Sequence, residues 1–147
     1  MMQEKLRLDT ELLRKQQRWL QISYDECQAI GIRHDYSVDQ FGRFETLCSR
    51  YSRSIDFLIR RMFRTIDAYE FENQGTLIDV VNHAHKRGLV PDIEQLRLMK
   101  DLRNTIVHEY VEEALHQLFS ELLDYTPALL AMMAQTQRYL RSIITAD

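Results

Sequence analysis

The sequence predicts an all-α fold: an antiparallel bundle of about five helices in one domain. Three observations carry this. Only four Gly and two Pro punctuate 147 residues, which leaves little turn chemistry for a sheet. Apolar residues recur in steps of three and four over long stretches, the period of a helix buried on one face. Capping residues stand where those stretches begin. The length is that of one domain.

The first helix is expected over residues 4–30, with Leu6, Leu13, Leu20, Tyr24 and Cys27 near one face. Residues 31–37, opened by Gly31, break it. Ser37 starts the second helix, with Gln40 three residues on, a capping-box arrangement. Its stripe is the longest: Phe41, Phe44, Leu47, Tyr51, Ile55, Leu58, Met62, Ile66 and Tyr69. Asn73, Gln74 and Gly75 form a loop. Thr76 caps a shorter helix that runs to Arg87 and is closed by Gly88. Val90-Pro91 is an extended link, and Asp92 caps the fourth helix, with Gln95 again three residues on. That helix runs to about His108. The last helical segment spans about 111–144, where Val111, Leu115, Leu118, Leu122, Tyr125, Leu129, Met132, Thr136, Tyr139 and Ile143 alternate steps of four and three. Pro127 interrupts it, and Thr126-Pro127 reads as an N-cap and first helical residue, so a kink or restart is expected there. Met132 and Met133 read as core.

Composition narrows the classes. Apolar residues make up 45 % and charged residues 28 %, ordinary for a globular protein. The net charge of −3 announces no nucleic-acid partner. No apolar run approaches the roughly 18 residues of a membrane span, and the first twenty residues are too charged for a signal peptide. A cytoplasmic location and no membrane partner are expected. Cys27 and Cys48 have no metal-ligand spacing and read as reduced helix residues. No phosphate loop, Ser-His-Asp pattern or zinc spacing appears, so neither a metal nor a cofactor is expected. His83 and His85, two apart on a helix, point in different directions and suit packing or surface roles. His34 and His116 have no partner spacing.

Charge is unevenly placed. Arg43, Arg50, Arg53, Arg60, Arg61 and Arg64 face only Glu45 and Asp56 in their stretch, whereas residues 109–124 carry Glu109, Glu112, Glu113, Glu121 and Asp124 with no Lys or Arg. Either the two segments pack together and neutralise each other, or part of the arginine row borders an RNA groove.

The segment richest in chemistry is Arg103-Asn104-Thr105-Ile106-Val107-His108-Glu109-Tyr110. Arginine is a permanent cation that grips phosphate through two parallel hydrogen bonds. Histidine as a residue type changes charge near neutral pH. Tyrosine offers a hydroxyl that donates a hydrogen bond or accepts a modification. On a helical wheel, Leu96, Met99, Ile106 and Val107 fall within about 60° of Arg103, and Tyr110 within about 20°. Arg103 therefore sits in an apolar stripe and needs a partner: a carboxylate, a wet subunit interface or a substrate phosphate. His108 falls about 140° from Arg103, while Asn104 and His108 share a face. Arg103 and His108 meet only if the helix loosens near His108 or if a second subunit supplies its own His108. The plainer alternative is a structural salt bridge at Arg103 and a His108 that caps the last carbonyls.

Arg-Asn-x-x-x-His-x-Tyr resembles the signature of HEPN domains, and most nearly the minimal ribonuclease toxins of HEPN/MNT toxin–antitoxin pairs. The likeness spans nearly the whole chain in length and helical character, although its specific residues sit in one short stretch. It implies an all-helical homodimer whose two motifs line one cleft, and metal-independent cleavage of RNA. It implies Arg103 and His108 as catalytic residues, and Asn104 and Tyr110 as supporting or substrate-binding ones. It further implies an MNT-type nucleotidyltransferase antitoxin that transfers AMP to Tyr110. The alternatives are a non-catalytic helical subunit that presents substrate to a nucleotidyltransferase, and a scaffold dimer with a structural arginine.

Overall fold

Capping chemistry and buried stripes set the helix boundaries in the computed structural model, which describes residues 2–70 and 75–146. In order these are α1 (Met2–Ile30), α2 (Val38–Asp56), a π-helical stretch (Phe57–Met62), α3 (Phe63–Tyr69), α4 (Leu77–Lys86), α5 (Ile93–His108), a 3₁₀ turn (Glu112–Ala114) and α6 (Leu115–Ala146). No strand occurs among the described residues, and none of their helices is long and apolar enough to cross a membrane. Asn73 and Gln74 of the expected loop lie outside the described residues.

The cap residues act as their chemistry dictates. The Ser37 hydroxyl accepts from the Gln40 N–H while the Gln40 side chain accepts from the Ser37 N–H. Thr76 and Asp79 make the same reciprocal pair at α4. The Asp92 carboxylate accepts from the N–H groups of Glu94 and Gln95. At the end of α4, Gly88 takes φ +80°. The Leu89 N–H then reaches back to the Ala84 carbonyl and the Gly88 N–H to that of His85, which closes the helix with a Schellman turn.

α1 buries Leu6, Leu13, Leu20 and Cys27, each seven residues after the last. α2 runs back along it, because Arg43 meets Glu26, Arg50 meets Ser23 and Arg61 meets Asp9. α6 is also antiparallel to α1: His116 touches the Arg33 carbonyl near one end, and Gln137 meets Gln17 further along. Phe44 and Phe119 stack at 4.4 Å where α2 meets α6, and Tyr36 packs on both edge-on to hold the α1–α2 turn.

Two expectations need correction. The long second stripe is not one α-helix; a π-helical turn interrupts it, so that Leu58, Ile59, Met62 and Phe63 are all buried. Of the kink or restart expected at Pro127, the restart does not occur: the proline lies inside one continuous α6. The Thr126 hydroxyl donates back to the Leu122 carbonyl instead of capping forward. Leu122, Leu129, Leu130, Met132 and Met133 are buried on both sides of the proline, and this packing outweighs the one missing N–H.

A buried polar network ties α3, α4 and α6. The fully buried Asp67 receives His83 at 2.8 Å and Arg87 at 2.5 Å. Arg87 also reaches Glu70 at 2.6 Å, which accepts from the Tyr139 hydroxyl. His83 is thus structural, as expected of a packing histidine. Asp67→Ala would remove the buried carboxylate that Arg87 and His83 share and leave Arg87 with Glu70 alone. We expect a loss of about 3 kcal/mol, the scale of a broken buried pair, read from the denaturant midpoint at unchanged slope. A loss below about 1 kcal/mol would show that the network contributes little.

Candidate active site

α5 carries the site because one face is anchored and its end is open. Leu96, Met99 and Leu102 are buried, and the Tyr51 hydroxyl of α2 donates to the Met99 carbonyl in the core. The helix stays regular to its end, where the Glu109 N–H still reaches the Thr105 carbonyl at 2.9 Å. The helix therefore does not loosen at His108.

Arg103 is turned toward α2. Its Nε and Nη2 both donate to Asp56 Oδ2, at 3.1 and 2.7 Å, and its Nη1 donates to the neighbouring Asn104 side chain at 3.3 Å. The partner demanded by the apolar stripe is thus a carboxylate on another helix. Arg103 remains 22 % exposed along its side chain. Three of the five N–H donors of a guanidinium are engaged, so two remain for a phosphate.

Asn104 and His108 lie on another face. With Asp101, Thr105 and Glu109 they line an open depression of about 420 Å³. His108 is exposed and makes no hydrogen bond among the described residues. Arg103 does not line this depression, whose other charged walls are two carboxylates. One chain brings Arg103 to Asn104 but does not bring Arg103 to His108.

Tyr110 corrects the wheel. α5 ends at His108 and Val111 is extended (φ −127°, ψ 136°), so Tyr110 is not on a helical face seven positions beyond Arg103. Its hydroxyl instead donates to Glu45 on α2 at 3.2 Å. Burial, then the Glu45 carboxylate, push the phenol above its ordinary value, so it stays protonated at neutral pH. Glu45 and Asp56 are eleven residues apart on α2 and project within about 20° of each other. Arg103 and Tyr110 therefore share a side after all, fixed by α2 and not by α5.

Among the described residues no carboxylate of the acidic run at 109–124 lies within ion-pair distance of an arginine of the row at 43–64. Arg43 pairs with Glu26 and Asp39, and Arg61 with the buried Asp9. Arg50 and Arg53 bond only neutral oxygens: the Ser23 hydroxyl and Trp19 carbonyl for Arg50, the Ser49 carbonyl for Arg53.

Cys27 and Cys48 are free and buried, and burial pushes both thiols up to about 12, too high for a nucleophile at neutral pH. No cluster of three His, Cys, Asp or Glu side chains suited to a metal occurs among the described residues. Compared with known proteins, the chain matches no protein-family model, no curated protein and no solved structure.

Proposed function

We propose that this chain is a HEPN-like ribonuclease toxin that acts as a homodimer and is restrained by an MNT-type nucleotidyltransferase antitoxin. The observation that carries the reading is the Arg103–Tyr110 segment at the open end of α5, where Arg103 keeps two free N–H donors and His108 faces solvent. The reaction is attack of a ribose 2′-hydroxyl on the adjacent phosphorus. The phosphorus–5′-oxygen bond breaks, leaving a 2′,3′-cyclic phosphate and a 5′-hydroxyl. Arg103 neutralises charge growing on the phosphoryl oxygens. His108 takes the proton from the attacking hydroxyl or gives one to the leaving oxygen. Asn104, already bonded to Arg103, orients the phosphate.

A dimer supplies what one chain lacks. α5 is regular to His108, so the remaining way for Arg103 to meet a His108 is across an interface. Val107, Tyr110 and Val111 are 48, 39 and 50 % exposed around the motif, an apolar surface suited to a second copy. Sedimentation at micromolar concentration is expected to show a dimer, and a monomer there would contradict the composite site. In cells, expression without a partner is expected to arrest growth with loss of full-length RNA. Unimpeded growth beside folded protein would count against the toxin.

A second reading is favoured by one observation, the Arg103–Asp56 ion pair, which serves a purely structural arginine equally well. In that reading the chain is non-catalytic, either a helical subunit that presents substrate to a nucleotidyltransferase or a scaffold dimer with a structural arginine. It predicts that His108→Ala changes nothing in RNA.

A further inference from the structure

We infer that the cleft between α1 and α2 around Trp19 is a second nucleic-acid foothold, which takes one base and its phosphate from a single-stranded RNA. The choice of RNA rests on the proposed ribonuclease reading; the cleft itself does not. Gln16, Trp19, Arg50, Arg53 and Ser54 line a cavity of about 300 Å³. Trp19 is 50 % exposed, an uncommon surface position for the largest aromatic side chain. The guanidinium carbons of Arg50 and Arg18 lie 5.0 and 5.8 Å from its ring centre.

The charge around this ring is uncompensated. No carboxylate among the described residues lies within ion-pair distance of Arg18, Arg50 or Arg53, a state they share with Arg7, Arg33, Arg60, Arg138 and Arg141; what sets Arg18 and Arg50 apart is the Trp19 ring they flank, and Arg53 the cavity it lines beside that ring. The Gln16 side-chain oxygen is buried at the cleft without a hydrogen-bond partner. An exposed indole, three unpaired guanidiniums and a vacant acceptor are the complement of a nucleotide. The base stacks on the ring, its phosphate meets Arg53, and an exocyclic amine donates to Gln16.

The place fits a strand that continues to the motif. Arg53 is one helical turn before Asp56, the residue that holds Arg103. On α2 it projects between Arg50 on the Trp19 side and Asp56 on the α5 side. A strand anchored at Trp19 would therefore pass Arg53 on its way to Arg103.

Trp19 is the only tryptophan in the chain, so its fluorescence reports this cleft alone. The test titrates the purified protein with 2′-O-methylated octaadenylate, which lacks the attacking hydroxyl, so binding is read whether or not the chain cuts RNA. AMP and inorganic phosphate are titrated in parallel. The octamer is expected to quench Trp19 with an affinity that falls as salt rises, AMP to quench only at tenfold higher concentration or more, and phosphate not to quench. With a labelled octamer followed by anisotropy, Trp19→Leu should weaken binding at least about fivefold, the low end of one base stack. Arg53→Gln, an exposed change that leaves the core intact, should weaken it and flatten the salt dependence by about one phosphate contact. Absence of quenching up to millimolar octamer overturns the foothold, as does octamer binding that neither variant alters. AMP binding as tight as the octamer would assign the cleft to a free nucleotide and overturn the RNA assignment.

Discussion

Arg103→Ala and His108→Ala should each reduce RNA cleavage by about 10²–10⁴-fold, the usual worth of one general acid or base and of one charge aimed at the transition state. Both variants should stay folded. His108 is exposed and unpaired, and Arg103 gives up one partly buried ion pair at the edge of the core, on the scale of about 1–2 kcal/mol. Matching circular dichroism spectra would exclude unfolding as the cause. Arg103→Lys should recover little, because an ammonium cannot hold Asp56 and a phosphate through one planar fork. The proposed dimer adds a sharper expectation. Mixing the two dead variants should restore cleavage, since each heterodimer rebuilds one site from the Arg103 of one subunit and the His108 of the other. About a quarter of wild-type activity follows if subunits exchange at random and each site works alone. No recovery after demonstrated exchange would place both residues of a site in one chain.

Loss of the Tyr110 hydroxyl should abolish covalent silencing. Co-expression with the nucleotidyltransferase and ATP is expected to add AMP-sized mass to the peptide that contains Tyr110, and Tyr110→Phe to remove it. The Tyr110 oxygen would attack the α-phosphorus of ATP bound in the partner, with pyrophosphate leaving. The phenol is held protonated by burial and by Glu45, so the transfer needs a base, and the Glu45 carboxylate already accepts that proton's hydrogen bond. Glu45→Gln should therefore slow modification while it leaves RNA cleavage in place. Adenylylation adds bulk and negative charge on the side of α2 that Arg103 also faces, where RNA phosphate would otherwise sit. An unmodified Tyr110 beside an active partner, with this chain fully silenced, would leave only steric inhibition.

Local chemistry was the most readable part of this sequence. Ser37 with Gln40, Thr76, Gly88 and Asp92 mark helix ends because a cap is decided within three or four residues. Leu6, Leu13, Leu20 and Cys27 show their burial by spacing alone. What depended on distant neighbours was hidden. A period of three to four continues through Phe57–Met62, so nothing in the pattern marks the π turn. Pro127 carries a strong local signal for a break, overruled by packing that only the folded chain reveals. At the site, the apolar stripe showed that Arg103 needs a partner, but Asp56 is 47 residues away and could not be singled out. Tyr110 lies past the end of α5, where an extended link has no fixed angular step and a helical wheel does not apply. Nothing in the sequence marks Trp19, because its meaning comes from Arg50 and Arg53 on a different helix.

The most direct measurement is incubation of purified wild-type protein with a defined RNA in excess chelator, with the new ends identified chemically. The account predicts cleavage that persists without divalent metal and yields 2′,3′-cyclic phosphate and 5′-hydroxyl ends, with His108→Ala inactive in the same assay. Intact RNA from a folded dimer, or equal cutting by wild type and the His108 variant, would contradict it.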